Sequence, residues 1–100
     1  MGELTTRERI QLLLKSADFP ISAKEIMALT GIKREQEVYE HIYHIALSSK
    51  RKGFVVFVYP AKCEACGREI SMERPRRPSR CPFCKSERVS PPKFLIRDRG

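Results

Sequence analysis

Gly53-Phe54-Val55-Val56-Phe57-Val58-Tyr59-Pro60 is followed at once by Ala61-Lys62-Cys63-Glu64-Ala65-Cys66. The first run is β-branched and aromatic, too short for a helix, and bounded by glycine and proline, so it reads as a strand. The second ends in a C-x-x-C pair. Three segments before residue 53 have helical spacing, so this stretch marks where a helical half gives way to a β-rich, cysteine-bearing half.

A second strand is expected at Lys93-Phe94-Leu95-Ile96-Arg97, announced by Pro91-Pro92. A lone strand is unstable in water, so the two are expected to pair. The residues between them then form an insertion. Its cysteines lie at Cys63 and Cys66 and at Cys81 and Cys84, two C-x-x-C pairs with fourteen residues between them. Tetrahedral zinc takes four soft thiolate ligands, and two intervening residues let both sulfurs of a pair meet one ion. Backbone N–H groups of such a turn also donate to the sulfurs. Gly67 supplies the backbone freedom that the first turn needs. Lys85 takes that place in the second turn, which is expected to be strained. Structural zinc is the expected occupant, with iron or a redox disulfide as the other readings. Four protein ligands would close the site and leave no position for a catalytic water.

Working back towards the N-terminus, Lys50-Arg51-Lys52 closes a long helix, where the helix dipole favours cations. Val38, Ile42, Ile45 and Ala46 form one apolar stripe, flanked by Tyr39 and Tyr43, on a helix expected from about Lys33 to Lys50. A shorter helix precedes it. Ser22 and Glu25 fit a capping box, Ile26, Met27 and Leu29 supply its apolar face, and Gly31 suits a left-handed terminus. The first helix starts with a second capping box, Thr5 with Glu8, and Ile10, Leu13, Leu14 and Ala17 fall on one of its faces. It is expected to end near Ser16, before Asp18-Phe19-Pro20. A short helix, a glycine turn and a longer helix give the outline of a helix-turn-helix, although other small helical bundles contain such pairs. The expected fold is α+β, a winged helix-turn-helix over residues 1–59 and 90–100 with a zinc ribbon at 60–89 inserted between the two wing strands.

At 100 residues the chain suits one compact unit. It buries only roughly two thirds of its unfolded surface, so a metal staple would help it. Met1–Glu8 does not look secretory, and no segment approaches the ~18 apolar residues of a membrane span. A cytoplasmic, reducing setting is therefore expected, which disfavours disulfides. The formal charge is +8, and it is unevenly placed. Residues 1–53 hold nine Lys/Arg against seven Asp/Glu, whereas residues 54–100 hold eleven against five. Such a basic half suits nucleic acid.

The arrangement resembles a family of archaeal proteins described as predicted transcriptional regulators, in which a winged helix-turn-helix carries a rubredoxin-like zinc ribbon. The resemblance covers nearly the whole chain: Ser22–Lys50, Phe54–Tyr59, both cysteine pairs and Lys93–Arg97, with Pro78–Ser86 its most specific stretch. It implies a DNA-binding or transcription-associated role in the cytoplasm.

In a helix-turn-helix the N-terminal part of the second helix enters the major groove. Here Lys33, Arg34 and Gln36 are the candidates: the cations for phosphate or guanine, the amide for adenine. Glu35, Glu37 and Glu40 work against them. The ribbon is more basic. Arg68, Arg74, Arg76, Arg77 and Arg80, with Lys85 and Arg88, are candidates for a salt-dependent grip on phosphates of double-stranded DNA. The competing reading of residues 74–80 is a stiff, solvated loop without core potential. His41 and His44 share a helical face but are too few for a second metal. A second function class is an adaptor that binds a protein partner of the transcription machinery. An enzyme ranks last: there is no Cys–His dyad with a third member, no phosphate loop and no open metal site. Leu12 is a candidate homodimer contact.

Overall fold

The computed structural model describes residues 3–99. Met1, Gly2 and Gly100, the outer ends of the expected domain ranges, lie outside the described residues. The chain is a mixed α+β unit with three helices and two antiparallel sheets among the described residues.

Helix α1 spans Thr6–Ser16, strand β1 Ile21–Ser22, helix α2 Ala23–Thr30 and helix α3 Glu35–Lys52. Both capping boxes form. The Thr5 hydroxyl accepts from the Glu8 N–H while the Glu8 carboxylate accepts from the Thr5 N–H. Hydrogen bonds to the Glu8 carboxylate from the Thr5 N–H and from the Thr5 side chain hold that carboxyl below the usual carboxylate range. Ser22 and Glu25 repeat the pattern at α2. Gly31 ends α2 at φ +84 and Gly53 ends α3 at φ +77, conformations that a side chain disfavours. Helix α3 begins at Glu35, not Lys33. Arg34 is its N-cap, with no side-chain cap, and the acidic Glu35 and Glu37 fill the first turn where the dipole favours them.

Strand β2, Phe54–Tyr59, pairs along its full length with β6, Lys93–Asp98, from Phe54 opposite Asp98 to Tyr59 opposite Lys93. β1 pairs with the other edge of β6, which gives the strand order β1-β6-β2. Register puts Val56 beside Ile96 and Val58 beside Phe94 on one face. Phe54, Phe94 and Ile96 meet Ile10, Leu14, Ile26, Val38, Ile42 and Ile45 in the main core. Each such side chain, fully buried, contributes about 1.5–3 kcal/mol. Arg97 ties the sheet to α1 by donating to the carbonyls of Lys15 and Ala17. One expectation fails here: Leu29 is 61% exposed and does not belong to the apolar face of α2.

Between β2 and β6 lie β3 at Ala61–Cys63, β4 at Glu69–Ile70 and β5 at Val89–Ser90, in a second sheet of order β4-β3-β5. Pro60 separates β2 from β3, and Pro91-Pro92 separates β5 from β6, so the chain enters and leaves this segment side by side. Ala61, Ile70, Val89, Cys63, Cys81 and the half-buried Met72 make its own small core. The molecule is accordingly elongated, 50 × 31 × 22 Å.

Candidate metal centre and basic surface

The two cysteine turns are built alike. The Cys63 N–H donates to the Arg68 carbonyl, and the Gly67 N–H returns to the Cys63 carbonyl at 2.9 Å. Eighteen residues on, the Cys81 N–H donates to the Ser86 carbonyl and the Lys85 N–H to the Cys81 carbonyl, also at 2.9 Å. Each turn closes through a left-handed residue, Gly67 at φ +80 and Lys85 at φ +67. Lys85 is the only non-glycine residue with positive φ among the described residues, so the strain expected in the second turn is present.

These turns bring four sulfurs together. Cys63 Sγ lies 3.5 Å from Cys84 Sγ, and Cys66 Sγ 3.7 Å from Cys81 Sγ. All four lie within 4.8 Å of one another. Thiolates about 2.3 Å from one tetrahedral ion stand about 3.8 Å apart, so the set is compatible with zinc. The gaps are far too long for disulfide bonds, whose sulfurs sit about 2.05 Å apart. Cys63 and Cys81 are buried within the small core of the second sheet, while Cys66 and Cys84 are exposed.

N–H donors prepare the sulfurs for negative charge. The Cys66 N–H donates to Cys63 Sγ, and the Phe83 N–H to Cys81 Sγ, each at 3.4 Å. The first bond, with help from the Ala65 N–H and neighbouring thiols, holds the Cys63 thiol down to about 6. Burial pushes Cys81 up, but the N–H groups of Cys84 and Phe83 outweigh it and the thiol falls. Cys84 shows the cost of crowding. Its Ser86 N–H favours the thiolate, yet the neighbouring sulfurs and burial drive it up to about 11. The crowding at Cys84 opposes its thiolate; a bound divalent ion removes that conflict.

The arginine-rich loop after β4 does not stand free in solvent. It runs back along α3 in the opposite direction. The Arg74 guanidinium lies over the Tyr43 ring, 4.1 Å from its centroid. Arg77 reaches Glu35, one helix end away, at 3.8 Å. Those anchor points are eight residues apart on α3, about 12 Å along its axis. Arg76 sits between them beside Gln36, Glu40 and His44. Pro78 is buried, so the loop does contribute to packing. Arg74 and Arg77 are therefore held against α3, at Tyr43 and Glu35, and Arg74 and Arg76 line one hollow with Gln36. Lys33 and Arg34 are exposed in the turn before α3, near Thr6 and Glu37. Arg80 lies near the second cysteine turn, beside Pro82. Arg68 covers the exposed Phe83 ring at 4.8 Å.

Two participants were not identified as such in the sequence. Tyr43 serves as the docking ring for Arg74, and Glu35 as the counter-charge for Arg77. Glu35 also accepts from the Tyr39 hydroxyl at 2.9 Å. His41 is tied down on both nitrogens. Its Nδ1 accepts from Arg7 Nε at 3.3 Å, and its Nε2 lies 3.5 Å from a Glu37 carboxylate oxygen. The four cysteines are the only cluster of metal-ligating side chains among the described residues. No helix of the described residues is long and apolar enough to cross a membrane.

A comparison with curated proteins returns no match. Among solved structures, the chain is similar to the solution NMR structure of protein PF0610 from Pyrococcus furiosus, with 33% sequence identity and a TM-score of 0.76. The match covers 96% of this chain and 91% of that one. The model of the family described as PF0610-like, N-terminal, matches residues 5–57, from the first capping box through most of β2. With more than half of its length matched, the chain belongs to the PF0610-like family.

Proposed function

We propose that this protein is a DNA-binding transcriptional regulator: a winged helix-turn-helix with a structural zinc ribbon between its wing strands. The element order α1-β1-α2-α3-β2-β6, with sheet order β1-β6-β2 and a glycine turn between α2 and α3, supports the winged reading. Zinc fits the four-sulfur set, and no flanking feature calls for the electron transfer that iron would serve.

The observation that carries the DNA reading is the anchoring of the arginine loop along α3, Arg74 at Tyr43 and Arg77 at Glu35, with Arg76 lining a hollow that Gln36 shares. A nearly neutral helix gains a basic ridge from the ribbon. Phosphates would be held by the loop arginines and by Lys33 and Arg34, while Gln36 reads a base edge. Arg68 and Arg80 extend the grip towards the ribbon tip. The activity is binding, with no catalytic step. Fluorescence titration of labelled duplex with zinc-loaded protein tests this. Affinity that falls steeply as salt rises supports the proposal, and no binding at low salt overturns it.

A second reading rests on a different surface. Leu4, Leu12 and Leu29 are each at least half exposed and line one hollow with Arg9 and Leu13. Clustered apolar side chains in water suit a protein partner, either a component of the transcription machinery or a second copy of this chain. A homodimer would match two-fold DNA half-sites. Light scattering at high concentration should then give a dimer that Leu12→Glu splits; a monomer throughout removes the dimer.

A further inference from the structure

A cleft of about 430 Å³ opens where α3, the end of β2 and the ribbon meet. This lies within the roughly 300–1,000 Å³ range of small-molecule sites. Its floor and walls are apolar: Leu47, Val58, Ile70, Met72 and Pro75. Leu47 is 61% exposed and Val58 51%, so neither is covered by any of the described residues. The cleft belongs to neither core. The main cluster stops short of Leu47 and Val58, and the ribbon cluster reaches it only through Ala61, Ile70 and Met72.

The rim supplies charge. Arg74 and Arg76 also line the cleft, against one lining acid, Glu73. Arg76 makes no ion pair among the described residues. Arg74 is held over Tyr43, itself a lining residue. An apolar pocket with convergent cations at its edge is complementary to an amphiphile of opposite sign. A neutral hydrophobic molecule would leave the cations without a partner, and an inorganic anion would leave the apolar walls wet. A carboxylate or sulfonate beside Arg76, with its apolar body against Leu47 and Met72, satisfies both.

We propose that this cleft is a binding site for a small organic anion with an apolar body. Its occupant touches α3 and the arginine loop together, and the site stands whether or not that loop binds DNA.

The test uses the zinc-loaded full chain and two probes of nearly the same shape, anilinonaphthalene sulfonate and its uncharged counterpart phenylnaphthylamine. Fluorescence titration should show one sulfonate site per chain. Arg76→Ala should weaken the sulfonate about tenfold, the value of a charge-assisted hydrogen bond, and leave the neutral probe unchanged. Leu47→Glu should weaken both. Both positions are exposed, and a thermal transition for each variant checks that it folds; Arg76→Gln repeats the charge test with less loss of packing. Three results would overturn the proposal: sulfonate affinity unchanged in Arg76→Ala and Leu47→Glu, binding at many equivalent sites, or a dimer that Leu47→Glu dissolves, which would make a second copy the occupant.

Discussion

The Arg74 guanidinium rests 4.1 Å from the centre of the Tyr43 ring, joining a loop of the inserted segment to the middle of α3. The pair is separated by thirty-one positions and by the strands β2, β3 and β4. Because Pro75 and Pro78 stiffen the intervening loop, one cation–π contact and one ion pair suffice to lay it along the helix.

Tyr43→Leu should therefore release the loop while leaving the core intact. Loss of an exposed cation–π contact costs about 0.5–1 kcal/mol. Hydrogen exchange should quicken in residues 73–77 and stay unchanged in α1. Tyr43→Phe keeps the ring and should behave as wild type. Equal effects of both substitutions would assign the loop's position to the hydroxyl instead.

The two cysteine turns make the same left-handed demand at equivalent positions, met by a glycine in one and a lysine in the other. A Cβ on Gly67 would meet nothing within 4 Å, so the penalty of Gly67→Ala is in the backbone alone. About 1–2 kcal/mol is expected for a left-handed non-glycine residue, read as a lower melting temperature of the zinc-loaded protein. Lys85→Gly relieves strain already present, partly offset by the greater freedom of an unfolded glycine. It should leave the melting temperature level or higher.

Removal of the metal should separate the two cores. The main cluster contains no cysteine, whereas Cys63 and Cys81 are part of the small ribbon cluster. Metal analysis of the reduced protein should find one zinc per chain. A chelator should then unfold the ribbon, seen as loss of dispersed amide signals from residues 61–90, while the helical signal in circular dichroism persists. Cys81→Ser should reproduce this state. A chelator without effect on either signal would contradict the zinc assignment.

Much of the fold is legible because it is written locally. A Thr or Ser three residues before a Glu announces α1 and α2, glycine closes α2 and α3, and short apolar runs bounded by glycine or proline give β2 and β6. The cysteine spacing is also a local signal, and the strain at Lys85 follows from the absence of a glycine there. What escaped depends on distant partners. β1 is two residues long and exists because β6 offers it an edge. β3, β4 and β5 are too short for a period-two pattern to emerge. Leu29 has the right spacing for a core position, but α2 is only eight residues long and turns that side to solvent. The placement of Arg74 on Tyr43 leaves no trace in either neighbourhood. The nearest hint is a run of arginines and prolines with no carboxylates of its own between Glu73 and Glu87, which needs counter-charges from elsewhere.

The central claim is that the arginines laid on α3 grip phosphate. The most direct measurement is the slope of log affinity against log salt for duplex DNA, compared between wild type and Arg74/Arg76/Arg77→Ala. Each phosphate contact contributes about 0.9 to that slope. If all three arginines bind phosphate, the variant's slope should be shallower by about 2.7, with its zinc content and melting little changed. An unchanged slope, or a wild-type protein with no salt-dependent binding, would contradict the account and turn attention to the apolar surface at Leu4, Leu12 and Leu29.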